Sequence, residues 1–207
     1  MVAHDSAWAG RLALCAGNRP AMSVEETDEI LMRRIAEGDE HAFRRLADRH
    51  LDRILQLARK LLGSAAAAED VAQEALLRIW LNAAGWRPEK SRLTTWIYTI
   101  TYRLCLDRLR SRRTQPLDEA FELADPGPGA FDALALAEER RRLAAALAAL
   151  QPRQRAAVTL FYYEELSGPD AAAVLGLSLR AFWSLLHRAR ASIQQQISPS
   201  LTKVPTS

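Results

Sequence analysis

Two stretches, AEDVAQEALLRIW at Ala68–Trp80 and SRLTTWIYTITYRLCLDRLRSRR at Ser91–Arg113, decide the architecture. The first belongs to a helix expected over about 65–82, with Val71, Ala75, Leu76, Ile79 and Trp80 toward a core. Asp70, Gln73, Glu74 and Leu77 fall at i, i+3, i+4 and i+7 on another face. A solvated stripe would explain the polar three, but water offers Leu77 nothing. Gly85 stops this helix, and Pro88 keeps the segment to Ser91 a loop. The second stretch reads as a helix with Ile97, Ile100 and Leu104 on its core face. Thr95, Tyr98, Thr99, Tyr102 and Arg103 are expected over its remaining surface. Aromatics followed by cations suit stacking of unpaired bases beside held phosphates. Trp96 fits either of two roles, packing between helices or wedging strands apart.

Upstream, Ser23 and Glu26 have capping-box spacing for a short helix ending at Gly38. Asp39 is expected to cap the next helix. Its Phe43, Leu46, Ala47, His50, Ile54, Leu57, Ala58 and Leu61 follow a 3, 4 spacing, and Gly63-Ser64 ends it. His41 and His50 read as a surface and a semi-buried histidine, since no carboxylate or cysteine cluster joins them. Residues 1–22 are expected to form a disordered leader. Met22 is an alternative start, which the mass of the native protein decides.

Downstream, Pro116 and Asp125-Pro-Gly-Pro-Gly mark an acidic linker over 114–134 that no continuous helix crosses. Alanine and leucine then favour a helix to Leu150, and Pro152 opens another, Arg153 to Tyr163. Pro169–Leu175, a Gly176-Leu177-Ser178 turn and Leu179–Gln195 follow as a helix-turn-helix, with Ala172 small at the crossing. Phe182-Trp183 reads as packing rather than base readout. The tail, 198–207, is expected to be disordered.

The fold class is therefore all-α: two small helical domains, 23–113 and 135–197, on a flexible linker. The net charge of +3 alone does not mark a nucleic-acid binder. Its distribution is more telling. From Trp96 to Arg113 only Asp107 opposes Arg103, Arg108, Arg110, Arg112 and Arg113, whereas every charge from Thr114 to Glu139 is negative. Sorted blocks suit a polyanionic partner or keep one segment off another. Cys15 and Cys105 have no metal spacing, which fits a reducing cytosol. No apolar run approaches the roughly 20 residues of a membrane span. No glycine-rich nucleotide loop, metal cluster or nucleophile–base pair appears, so neither catalysis, cofactor nor small-molecule substrate is expected.

Ala68–Glu74, Leu77–Trp80, Trp96–Tyr98 and Leu106–Arg110 resemble region 2 of the extracytoplasmic function (ECF) sigma factors of bacterial RNA polymerase; Gly38–Gly63 is similar to their region 2.1. Leu150–Ala156 with the helix-turn-helix resembles their region 4. The resemblance implies a cytoplasmic protein that directs core RNA polymerase to promoter DNA. It implies docking on polymerase through Asp70, Gln73, Glu74 and Leu77. At the minus-ten element it implies a flipped base received near Trp86, Lys90 and Arg92, with contacts from Thr95, Trp96, Tyr98, Thr99, Tyr102, Arg103 and Arg108. At the minus-thirty-five element it implies readout by Arg180, Ser184, His187, Arg188 and Arg190, and it implies an anti-sigma partner. Where the family often shows Arg-Asn, this chain has Tyr102-Arg103, moving the cation about 100° around the helix. Two other readings stand beside it. A stand-alone helix-turn-helix regulator would bind duplex DNA without polymerase. A sigma mimic would bind an anti-sigma factor yet support no transcription.

Overall fold

The computed structural model describes residues 26–114 and 141–197, and among them every regular element is helical. The N-terminal half comprises α1 (Asp28–Ala36), α2 (Glu40–Leu62), α3 (Ala65–Asn82) and α4 (Leu93–Thr114), with a 3-10 turn at Ala83–Gly85. The C-terminal half comprises α5 (141–148), α6 (Pro152–Val158), a π-helical turn at Thr159–Tyr163, α7 (Gly168–Leu175) and α8 (Leu179–Ile197). The expected leader, all of the expected linker but Thr114, residues 135–140 of the helix expected before Leu150, and the expected tail lie outside the described residues, as does Ser23.

The strongest periodicity gives the central helix. Every apolar position expected on α2 is buried, with Ile54, Leu57 and Ala58 fully so. Burying a side chain the size of Ile54 or Leu57 contributes about 1.5–3 kcal/mol. Asp39 starts α2 by accepting hydrogen bonds from the backbone of His41 (2.8 Å) and Ala42 (3.1 Å). These bonds, with the Arg34 guanidinium, hold the Asp39 carboxyl below the usual carboxylate range. Gly63 ends the helix in the left-handed region at φ 66°. His50 is buried with Nε2 2.9 Å from Asp28 Oδ2, which ties α1 to α2. Glu26 reaches both Arg34 and Arg45 at 2.6 Å.

The C-terminal half departs from expectation at one point. The sequence predicts a single helix from Arg153 to Tyr163. Instead α6 ends at Val158 and the chain widens into a π turn, closed by Glu164 N donating to Thr159 O at 3.0 Å. Thr159 and Leu160 stay buried while Tyr162 and Tyr163 reach solvent. Ser167 caps α7, and Gly176 at φ 63° makes the turn to α8. Ala172 is buried at the crossing as expected.

The two helical domains share one continuous cluster of buried residues. α4 packs along α7, and α2 meets α6. Arg155 Nη1 donates to Leu61 O at 2.9 Å, and Lys60 Nζ lies 4.7 Å above the Tyr163 ring.

Candidate nucleic-acid interface

The aromatic face of α4 is where the structure corrects the sequence most. Thr95, Tyr98 and Tyr102 were expected on open surface; they are 4%, 3% and 3% exposed. Thr95 Oγ1 donates to Asp170 Oδ1 at 3.1 Å, and the Tyr98 hydroxyl donates to Glu164 Oε2 at 2.6 Å. The two carboxylates of the C-terminal half thus occupy the hydroxyls of two residues that the resemblance assigned to the minus-ten element. Burial first, and then the Glu164 carboxylate, pushes the Tyr98 hydroxyl well above its usual pKa. Burial also raises Tyr102, against the opposing influence of Arg153. The physical reason for closure is area. Each tyrosine carries roughly 150–250 Å² of surface that gains from leaving water.

Trp86 also departs from its expected place. Its indole is 8% exposed within the core cluster, and its Nε1 finds no hydrogen-bond partner. Trp96 is half-buried against the core, and Thr99 is half-buried with its hydroxyl bonded to Thr95 O at 2.8 Å. Lys90, Arg92, Arg103 and Arg108 are exposed. Arg108 Nη2 lies 2.6 Å from Asp70 Oδ2, joining the end of α4 to the stripe on α3.

That stripe is open. Asp70 and Gln73 are exposed, Leu77 is 41% exposed, and half-buried Glu74 pairs with Arg78 at 2.9 Å. Leu81, one turn beyond Leu77, is 68% exposed and extends the apolar strip. The i+4 spacing from Leu77 would have found it.

On α8 the structure brings the expected residues together. Arg180, Ser184, His187, Arg188 and Arg190 are all exposed, and α8 contains no acid. Ser184 Oγ donates to Arg180 O at 3.0 Å, and Arg188 Nε donates to Ser184 O at 3.3 Å. Phe182 is fully buried, as its packing role requires, but its neighbour Trp183 is 45% exposed and lines a shallow cleft with Ser184, His187 and Arg188. Sequence reasoning missed Glu164, Asp170 and Arg155 as contacts between the halves.

An acid-free second helix on a helix-turn-helix, with its cations outward, defines a DNA-binding helical protein. The sigma-70 region 2 family model matches residues 46–115, and the sigma-70 region 4 model matches residues 140–193. The chain is 30% identical to the ECF RNA polymerase sigma factor SigK of Mycolicibacterium vanbaalenii, over 73% of this chain and 79% of that protein. It is 30% identical to ECF sigma factor RpoE of Cereibacter sphaeroides, over 84% of this chain and 97% of that protein. Among solved structures, CnrH in complex with the cytosolic domain of CnrY is 27% identical with a TM-score of 0.62, covering 82% of this chain and 96% of that one. The sigma factor RpoE in complex with the anti-sigma factor NepR from Bartonella quintana shares the fold at 24% identity and a TM-score of 0.63, covering 75% of this chain and 96% of that one. This chain belongs to the ECF sigma factors of RNA polymerase. Among the described residues no helix is long and apolar enough to cross a membrane.

Proposed function

We propose that the chain docks on core RNA polymerase in the cytoplasm through the α3 stripe, opens the minus-ten element with α4, and holds the minus-thirty-five element with α8. The observation that carries this reading is a contrast between two faces. The stripe of Asp70, Gln73 and Leu77 stands open while the Tyr98 face of α4 is covered by the C-terminal half. A face open at all times suits the partner met first, and a covered face suits one met only after the halves part. Polymerase therefore comes before the promoter. On polymerase the C-terminal half leaves α4, and Thr95, Tyr98 and Tyr102 turn to the separated strand with Arg103 and Arg108 beside them. Extracting a base from the stack takes a few kcal/mol, and aromatic stacking returns about 1–3 kcal/mol per base. With terms so close, polymerase contacts decide the balance.

Run-off transcription with purified core polymerase on a promoter library tests the whole reading; no change in transcripts on adding the protein would end it. Gln73→Ala with Leu77→Ala is expected to weaken core binding about tenfold by titration, and full affinity in that double variant removes the docking role. Arg103→Ala and Arg108→Ala are expected to lower open-complex yield severalfold while core affinity stays within about twofold. Losing one charge-assisted phosphate contact has that size. Equal open-complex yield in both variants would take α4 away from DNA.

An anti-sigma factor completes the proposal. The CnrH and Bartonella RpoE structures hold protein partners. Here a partner that binds only the closed form needs a differential affinity of a few kcal/mol to silence the chain.

A further inference from the structure

The outward face of α8 is made of Arg180, Trp183, Ser184, His187 and Arg188, at i, i+3, i+4, i+7 and i+8. Trp183 is the apolar member, and it is seated rather than loose. Its ring centroid lies 5.3 Å from that of Phe161 at 80°, and 5.2 Å from that of Phe182 at 62°. Its far edge rests on Gly168, where an added Cβ would stand 2.6 Å from Cζ2. Only a glycine leaves room for that seat. The ring is thus held on its inner side, and its outer side faces the open cleft with Ser184, His187 and Arg188.

The surroundings name the occupant. α8 offers cations and no acid, so charge complementarity selects a polyanion. A single helix fits the major groove of B-form DNA, whose floor carries one conspicuous apolar group, the C5-methyl of thymine. We propose that Trp183 is a specificity-determining residue whose exposed indole edge packs on a thymine methyl of the minus-thirty-five element. Arg180 and Arg188 hold phosphates on either side. This inference rests on the reading that the C-terminal half binds that element.

The test uses holoenzyme assembled from core polymerase and the full chain. Templates randomised over the minus-thirty-five element are selected by initiation, and each selected thymine is then replaced by deoxyuridine, which lacks only the methyl. At one or two positions the replacement is expected to weaken promoter binding about fourfold, the effect of exposing one methyl-sized group. Trp183→Ala is expected to bind thymine and deoxyuridine templates equally. Gly168→Ala keeps the indole but pushes it off its seat, and it is expected to lose the methyl dependence too. Indifference of the parent holoenzyme to deoxyuridine at every position overturns the inference and leaves the domain reading standing. So does full methyl dependence in Trp183→Ala. Active holoenzyme with no preference anywhere in the element overturns both. Unchanged promoter selection by Trp183→Ala, together with lost anti-sigma binding, overturns the DNA role in favour of a protein contact.

Discussion

A chain cross-linked between positions 60 and 163 is expected to bind core polymerase normally and to fall about a hundredfold in promoter opening. Lys60 and Tyr163 face each other across the two halves, the ammonium 4.7 Å from the ring centroid, and neither belongs to a proposed DNA or polymerase surface. Lys60→Cys and Tyr163→Cys, joined by a short cleavable reagent, would hold the closed arrangement. Cys15→Ser removes one competing thiol. Cys105 needs no change, because it is fully buried and burial pushes its thiol pKa up to about 12. In this closed form Tyr98 and Thr95 stay bonded to Glu164 and Asp170 and cannot reach a strand. Cleaving the reagent should restore run-off transcription, which makes the uncross-linked double variant its own reference. The opposite change is expected from Glu164→Gln with Asp170→Asn. Exchanging each charged acceptor for a neutral amide weakens its hydrogen bond by about 1 kcal/mol, so closure weakens by about thirtyfold for the two. Transcription at limiting protein should rise. Full activity of the bridged chain would show that the halves need not part.

Much of this architecture is legible because its signals are local. The 3, 4 spacing from Phe43 to Leu61, the Asp39 cap, the Gly63 stop and the Gly176 turn each act within a few residues, and each appears where expected. The exposed faces of α3 and α8 follow from the same periodicity. The cover on α4 does not. Its buried positions run from Ile97, Thr101, Leu104 and Cys105 round to Tyr98, Tyr102 and Thr95. An arc that wide means two neighbours, but the second lies some 70 residues away across the acidic linker. No local pattern assigns Tyr98 to Glu164. The tyrosine hydroxyls disguise the face further, since Tyr suits an open surface or a covered one equally. Trp183 misleads in the reverse direction. Its ring does pack, on Phe161 and Phe182, and it remains 45% exposed all the same. Periodicity alone placed it on the same face as Arg180 and His187, and the preference of aromatics for interiors obscured that.

Arg155→Met is expected to destabilise the protein by about 3 kcal/mol in chemical denaturation. Arg155 is 8% exposed at the start of an apolar run, Ala156-Ala157-Val158, where a cation looks misplaced. Its guanidinium explains the position. Nε donates to Leu147 O at 3.0 Å, Nη2 to Ala148 O and to Leu150 O at 3.3 Å, and Nη1 to Leu61 O at 2.9 Å. These carbonyls lie at the C-terminal ends of α5 and α2, where intrahelical donors run out and the negative end of the helix dipole lies; Leu147 O alone also accepts from a backbone N–H, that of Leu150, at 3.2 Å. Burial lowers the pKa of Arg155, but a guanidinium stays charged in a protein. Removing it strands several buried acceptors, each at about 1–3 kcal/mol, while methionine recovers part of the packing. Arg155→Lys is expected to rescue little, because one ammonium cannot span four carbonyls set around a planar fork. The bond to Leu61 adds a second readout, since the variant should part its halves more readily and bridge more slowly between cysteines placed at positions 60 and 163. A methionine variant as stable as the parent would mean that apolar packing replaces the cation without loss, as happens at some buried ionic sites. The contact between α2 and α6 would then owe its strength to the apolar cluster alone.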